Sequence, residues 1–455
     1  MNWDYSVDRL AAVFEAQRPG DMSRITGVST DTRTLREGDV FFALKGENFD
    51  ANDFLDQAFD KGAVAAVAQR HCIGGVVIQV PDSLAALQQF AAHHRARYAI
   101  PVIAITGSCG KTTSKDLTAA VLSERYKVIK TRGNLNNEIG GPLTLLQMDA
   151  TTECVVMEMG ANHRGEIERL CAIARPTESA ITMIGEAHLE GFGTIEDVAS
   201  AKAEIMTSLP DNGIFYVNID DSRCRQISAR FQGKKVTYGS GGDVVLRSCA
   251  FTNQGRMRLT IDPIGELTLP LYAKGHATNV LLAVAIGLRH DISEFQAPLE
   301  RACEDSTRFR VLQVGDIEII DDTYNANPGS IRLALDALSD RNRSGKRIAV
   351  LGEMLELGGQ SERLHREIGE YAGLRFVDCL FARGEHAASM VDAARGAGVA
   401  LAEHIEDHAA MAEAVAAHAS SGDVVLVKGS RGMHMEKVVE SLKSLLEQAP
   451  QEVAR

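Results

Sequence analysis

Val102-Ile103-Ala104-Ile105-Thr106-Gly107-Ser108-Cys109-Gly110-Lys111-Thr112-Thr113 is the stretch that decides the fold. Its apolar opening reads as a buried strand, and the segment behind it, with Leu117, Ala120 and Val121, reads as a helix. Glycines between strand and helix let backbone N–H groups turn inward around phosphate oxygens, and the helix N-terminus adds a favourable dipole. Lys111 is placed to reach the β- and γ-phosphates of ATP, and the Thr112 hydroxyl to ligate Mg²⁺. The expected ATP loop is therefore Gly107, Ser108, Cys109, Gly110, Lys111, Thr112 and Thr113. It is a variant of GxxxxGK[ST], because Ile105 stands where the first glycine would be. Cys109 reads as a tolerated small residue there, not a nucleophile. A GKT turn also occurs in loops that bind no nucleotide; a strand in front and a helix behind favour the phosphate reading.

Outward from this loop, strands at Cys154 to Met157, Ser179 to Ile184 and Ile214 to Val217 alternate with helices at 165–174 and 194–209. Alternation of this kind predicts an α/β fold with a mostly parallel sheet covered by helices. Residues 244–272 read as β-rich, and a helix follows Asn279. A second alternating series runs through Ile317 to Ile320, Arg347 to Leu351, Val377 to Phe381 and Val424 to Val427. Ahead of the loop, short apolar runs at Val40 to Leu44 and Val76 to Val80 precede a helix capped by Asp82-Ser83. Three domains are expected: a small α/β head (1–82), a central P-loop-type domain (83–309) and a C-terminal Rossmann-like domain (310–455).

Chain length fits this division, since 455 residues exceed what one core supports. The formal charge of −13 comes with no basic tract, so a nucleic-acid partner is not expected. No apolar stretch approaches the ~20 residues of a membrane-spanning helix, and Met1 to Arg18 is too charged for a signal peptide. Eight scattered cysteines without a CxxC pair read as reduced thiols, which predicts a cytoplasmic protein.

Glu158 closes the strand Cys154 to Met157, where active-site carboxylates of open α/β sheets sit, and a phosphate-bound Mg²⁺ calls for such a group. A solvated glutamate opening a loop is the plain alternative. His188 by itself is a loop histidine. Lys202, two turns into a helix begun by Thr194-Ile195-Glu196-Asp197, would by itself be a solvated lysine.

Taken together, these segments resemble the Mur ligase family of peptidoglycan synthesis, a route that underlies cell shape and division. The phosphate loop is similar to the family's TGxxGKTT, and Gly133-Asn134-Leu135-Asn136-Asn137-Glu138-Ile139-Gly140-Gly141-Pro142-Leu143-Thr144 to its GNxNNxIGxPLT element. Glu158-Met159-Gly160, Ala187-His188-Leu189-Glu190-Gly191-Phe192-Gly193, Ala201-Lys202-Ala203-Glu204 and Asp322-Thr323-Tyr324-Asn325-Ala326-Asn327-Pro328 have counterparts in the same order. Leu351-Gly352-Glu353-Met354-Leu355-Glu356-Leu357-Gly358, with His365 and Gly369, and Lys428-Gly429-Ser430-Arg431-Gly432-Met433-His434-Met435-Glu436 resemble the branch that joins D-alanyl-D-alanine to UDP-N-acetylmuramoyl-tripeptide. The DNPR-type run of the branch that adds the third amino acid is missing.

The resemblance implies an ATP-dependent ligase that passes through an acyl phosphate. Lys111, Glu158, His188 and Lys202 would be catalytic, with two Mg²⁺ ions held by Thr112 and Glu158 and by His188 and a carbamylated Lys202. Asn279, Arg308 and Asp322 would complete the ATP site. Ser29, Thr30, Asp31, Arg33 and Lys45 of the head, with Asn136, Asn137, Asn325, Lys428 and Arg431, would contact the substrates. A monomer is expected. Two departures stand out: Asp50-Ala51-Asn52-Asp53-Phe54 lacks the histidine of the family's DGHDF, and Gly275-His276-Ala277-Thr278-Asn279 meets its GxHNxxN only at the last asparagine. Two rivals share the loop chemistry: a folylpolyglutamate-synthase-like ligase, against which the head argues, and a nucleotide-gated binding protein.

Overall fold

In the computed structural model, which describes residues 4–46, 48–253, 255–341 and 345–448, Val102–Thr106 is a wholly buried strand inside a six-stranded parallel sheet. The strand order is Lys234–Tyr238, Ile214–Asn218, Glu178–Ile181, Val102–Thr106, Cys154–Glu158, Val128–Lys130. Strands buried on both faces need no polar alternation, which is why Val102 to Ile105 and Cys154 to Met157 are unbroken apolar runs. The helix Lys111–Leu122 starts directly behind the loop, and its inner face packs on helix Ala277–Arg289. Helix Ile195–Thr207 is capped by Thr194, whose hydroxyl accepts from the Asp197 N–H.

The third strand is shorter than the expected Ser179 to Ile184. It ends at Ile181 because the next residues serve the phosphate loop instead of the sheet. The Thr182 hydroxyl donates to Cys109 O at 2.5 Å, and Met183 O accepts from Ser108 N at 2.9 Å. The β-rich stretch is an antiparallel three-stranded sheet, Val245–Phe251, Met257–Asp262 and Gly265–Leu269, packed with the central domain. Helix Ala277–Arg289 begins two residues before Asn279, not after it.

The head is a four-stranded parallel sheet, Gly27–Ser29, Asp39–Phe42, Ala65–Ala68 and Val77–Gln79. Helix Ser83–Arg95, capped by the Asp82 carboxylate, lies between head and central domain. Phe90 stacks on Phe42 of the head sheet, while Arg95 Nε donates to Ala174 O at 2.8 Å on the central side.

The C-terminal sheet has the order Arg310–Val314, Ile317–Asp322, Val424–Lys428, Arg347–Leu351, Cys379–Ala382, Leu401–His404, parallel except for its first strand. Asp322, Leu351 and Lys428 all stand at carboxyl ends of strands in this sheet, as Thr106 and Glu158 do in the central one. Ligands of open α/β sheets gather at such ends. The architecture is thus the three-part, mostly parallel α/β arrangement expected from the sequence. Among the described residues, no helix is long and apolar enough to cross a membrane, and the eight cysteines form no disulfide.

Candidate active site

Two glycines shape the loop. Gly107 has φ of +146°, and a Cβ there would lie 2.0 Å from Thr182 Oγ1. Gly110 has φ of +81°, and a Cβ would lie 2.5 Å from Asn279 Oδ1. Both positions combine positive φ with close approach, so only glycine fits without strain. The loop is then held from three sides. Ser108 Oγ donates to Gly185 O at 2.9 Å, Ser114 Oγ donates to Asn279 Oδ1 at 3.1 Å, and Asn327 Nδ2 of the C-terminal domain donates to Ser108 O at 3.1 Å. Asn279 therefore supports the loop from behind.

Lys111 folds back and donates to Gly107 O at 2.8 Å. Burial lowers its pKa from the ordinary lysine value, and the Glu158 carboxylate opposes that shift. Arg308 reaches across from the C-terminal side. Its guanidinium lies 3.2 Å from the Tyr324 ring centroid and donates to Thr112 Oγ1 at 3.0 Å. Burial lowers the Arg308 pKa as well, so the two cations share a partly desolvated site where an anion is favoured.

Glu158, 3% exposed, accepts from Asn136 Nδ2 at 2.7 Å through Oε1, while Oε2 is buried without a hydrogen-bond partner. A buried carboxylate oxygen left open is a costly arrangement unless a cation completes it. With the Thr112 hydroxyl, this hard oxygen donor suits Mg²⁺. Lys202 is 1% exposed, not solvated; it donates to Ala161 O at 3.3 Å and faces the Phe192 ring at 5.5 Å. Burial, and then the positive charge of Lys111, push its pKa down to about 7. His188 adopts φ of +55°, and its Nδ1 hydrogen-bonds the Glu356 carboxylate of the C-terminal domain.

Beside the loop helix, a cleft of about 290 Å³ is lined by Thr113, Tyr272, His276, Arg308 and Phe309. His276 meets Phe309 edge-on, with ring centroids 5.2 Å apart, and burial lowers its pKa. The mixture of rings and apolar wall next to a phosphate loop has the character of a nucleobase slot. Neither Phe309 nor Tyr272 carried a sequence signal, since each is a single aromatic outside any motif.

The remaining expected residues are placed differently. Lys428 is buried and committed to its own domain, donating to Asp322 Oδ2 at 2.6 Å and Asn325 O at 2.8 Å. Arg431 is exposed, 3.6 Å from Glu436. Asn137 Oδ1 accepts from Gly140 N at 2.9 Å, which stabilises the start of the helix Gly140–Leu145. In the head, Ser29 Oγ donates to Asp31 O, Asp31 pairs with Arg33, Thr30 adjoins them, and the backbone of Lys45 pairs with that of Asp50 in an isolated antiparallel β-bridge. Hydrogen bonds from Arg33 hold the Asp31 carboxyl down to about 2. Thus Lys111 and Glu158 of the central domain adjoin Arg308, Lys202 lies near enough to Lys111 to feel its charge, and His188 stands at the domain junction. In the head, Ser29, Thr30, Asp31 and Arg33 form a separate cluster at the end of strand Gly27–Ser29, and Lys45 stands beyond the neighbouring strand Asp39–Phe42. Glu356 and Asn327 were legible only as motif letters; their contacts cross between domains and leave no local trace.

Comparison with known proteins bears on the fold and the family. Residues 24–95 match the domain described as "Mur ligase family, catalytic domain", residues 105–287 the Mur ligase middle domain, and residues 307–431 the "Mur ligase, glutamate ligase domain". The chain is 37% identical over 429 residues to the UDP-N-acetylmuramoyl-tripeptide–D-alanyl-D-alanine ligase of Bacillus subtilis, covering 92% of this chain and 93% of that protein. Its structure is similar to that of MurF from Acinetobacter baumannii, with a TM-score of 0.88, 30% identity and coverage of 97% and 99%. It is also similar to MurF from Thermotoga maritima in complex with ADP, with a TM-score of 0.83, 30% identity and coverage of 93% and 98%. With the loop, both parallel sheets and the head all accounted for, the chain belongs to the Mur ligase family.

Proposed function

We propose that this protein joins D-alanyl-D-alanine to UDP-N-acetylmuramoyl-tripeptide at the expense of ATP, in peptidoglycan precursor synthesis. The observation that carries this reading is the convergence of Lys111, Glu158 and Arg308 on one phosphate loop. Agreement over nearly the full chain with a relative named for this reaction supports it. In this reading residues 1–82 hold the uridine nucleotide, 83–309 bind ATP, and 310–455 bring the dipeptide. All groups come from one chain, so a monomer suffices. The substrates place the reaction in the cytoplasm, where ATP and nucleotide-linked precursors occur.

A free carboxylate does not form an amide unaided, so the tripeptide carboxylate oxygen first attacks the γ-phosphorus of ATP. The bond to the bridging oxygen breaks, ADP departs, and an acyl phosphate forms. The dipeptide amine then attacks the acyl carbon and loses a proton, and inorganic phosphate leaves through a tetrahedral intermediate. Two anions must meet in the first step, so positioning and charge neutralisation dominate. Loop N–H groups cradle the phosphates, while Lys111 and Arg308 neutralise charge on the transferred group. Thr112 and Glu158 would hold one Mg²⁺, and His188 with a carbamylated Lys202 a second. Bound there, the ions would screen the phosphate oxygens and orient them for in-line transfer. Carbamylation requires the neutral amine, which the lowered pKa of Lys202 makes available, and it turns a cation into an oxygen donor. In this reading Asp322, at its strand end and paired with Lys428 through Oδ2, would accept from the ribose hydroxyls through its other oxygen.

The test is phosphate release from ATP with UDP-N-acetylmuramoyl-tripeptide, with and without D-alanyl-D-alanine. Release should depend on the dipeptide and match the amide formed. Release indifferent to any acceptor would indicate a nucleotide-gated protein, and glutamate as acceptor a folylpolyglutamate-type ligase.

A further inference from the structure

We infer that Glu356 is a positioning residue for the ligase reaction: delivered by the C-terminal domain, its carboxylate sets the tautomer and orientation of His188. The inference deepens the function proposed above and rests on its assignment of His188 to the phosphate-transfer site.

Four observations carry it. His188 Nδ1 and Glu356 Oε2 are hydrogen-bonded although 168 residues apart, so the contact exists only when the two domains meet. The backbone fixes the same approach independently, since Glu190 N donates to Glu356 O at 3.1 Å. Gly358 permits it: with φ of +54°, a Cβ there would lie 3.2 Å from Glu190 Cα. Finally, His188 and Glu356 both hold left-handed backbone conformations, φ +55° and +63°, that non-glycine residues rarely adopt. Two uncommon conformations facing each other across a domain boundary mark a contact that the surrounding structure enforces.

An ionised carboxylate only accepts, so the nitrogen bonded to Glu356 must carry a hydrogen. Neutral His188 then has its proton on Nδ1 and its lone pair on Nε2, free for a ligand. Without the carboxylate, imidazole reverts to a mixture of tautomers and the ring loses one fixed direction. Histidines that serve metal or phosphate sites are commonly held this way, and loss of the outer partner costs roughly 10- to 100-fold. Because the partner belongs to another domain, this hydrogen bond forms only where the two domains meet. A second interdomain contact serves as the control. Arg363 pairs with Glu186 at 3.2 Å across the same boundary without touching His188.

The experiment compares wild type, Glu356→Ala, Glu356→Gln, Arg363→Ala, His188→Ala and the double variant His188→Ala/Glu356→Ala. Turnover is measured together with ¹⁵N NMR of the histidine ring nitrogens in metal-free and nucleotide-free protein. The expected result is a 10- to 100-fold lower kcat for Glu356→Ala with KM for ATP changed less than about threefold. Glu356→Gln should fall between it and wild type, Arg363→Ala should remain within about threefold, and the double variant should be no slower than His188→Ala. In the NMR spectrum, His188 should move from a single Nδ1–H tautomer to a mixture in Glu356→Ala but not in Arg363→Ala. An unchanged His188 tautomer in Glu356→Ala, or equal losses in Glu356→Ala and Arg363→Ala, overturns the inference and leaves a simple domain latch. A fully active His188→Ala enzyme would instead overturn the assignment of His188 itself.

Discussion

Glu158 offers one carboxylate oxygen to the Asn136 side chain at 2.7 Å and keeps the other buried with no hydrogen-bond partner. Asn136 thereby orients the carboxylate, and the open oxygen lies near enough to Lys111 for the two charges to interact. Glutamine at this position keeps the shape and the contact to Asn136 but removes the charge. Glu158→Gln should fold normally and need about tenfold more Mg²⁺, or higher still, for half-maximal rate, because cation affinity follows ligand charge. A Mg²⁺ titration of activity at saturating ATP checks this; an unchanged midpoint would exclude Glu158 as the metal ligand.

Lys111→Ala should leave folding intact, because the loop's turns depend on Gly107 and Gly110. Turnover should fall by about 10²–10³-fold or more, the loss seen when one transition-state donor is removed. Steady-state rates beside a circular-dichroism melt provide the check, and near-normal turnover in folded protein would place phosphate transfer elsewhere.

Arg308→Ala should cost about 1.5–3 kcal/mol in kcat/KM for ATP, roughly 10- to 100-fold, as expected for a lost charged hydrogen bond. Arg308→Lys should recover only part of it, since an ammonium cannot reproduce both the planar stack on Tyr324 and the bond to Thr112. Rates for the two variants, measured side by side, distinguish charge from shape; full recovery by lysine would reduce Arg308 to a point charge.

Lys202→Ala should be nearly inactive, yet formate or acetate should restore part of the rate by supplying the oxygens that carbamylation provides. Lys111→Ala, which lacks a cation and not a carboxylate, should not respond. Rescue curves for both variants are the measurement, and a fully active Lys202→Ala enzyme would eliminate the modified-lysine role.

The unmodified lysine makes a separate prediction about stability. With its pKa lowered to about 7, folded Lys202 gives up its proton near neutrality, whereas in the unfolded chain it keeps it to the ordinary lysine value of about 10. Across that window the folded state binds fewer protons, so stability contributed at this site rises with pH. The cost of burying the ammonium is greatest below about pH 7. Lys202→Met should therefore be more stable than wild type in CO₂-free buffer near pH 6, by several kcal/mol at most, and lose that advantage by about pH 10. Denaturant titrations at both pH values decide it; a pH-independent difference would mean the ammonium is not desolvated.

Much of this was legible in the chain. Apolar runs such as Val102 to Ile105 and Cys154 to Met157 announce buried parallel strands, because burial on both faces removes the polar alternation that other strands need. The glycine-lysine-threonine turn between strand and helix announces a phosphate site for an equally local reason: loop backbone and helix dipole are set by neighbouring residues. Reading stopped where contacts joined distant segments. Ser179 to Ile184 looks like one strand, yet it ends at Ile181, because Thr182 and Met183 bond the phosphate loop.

Sequence by itself determined the alternating α/β order, the phosphate loop and the family, all of which follow from local pattern and short motifs. Only the tertiary structure decided that Lys202 is buried and not solvated, that Lys428 is committed to Asp322, and that Glu356 meets His188. Burial and pairing depend on what the rest of the chain brings within a few ångströms. A helical lysine carries the same letters whether water or Phe192 faces it, and the desolvation that sets its chemistry arises only when the central domain folds around it.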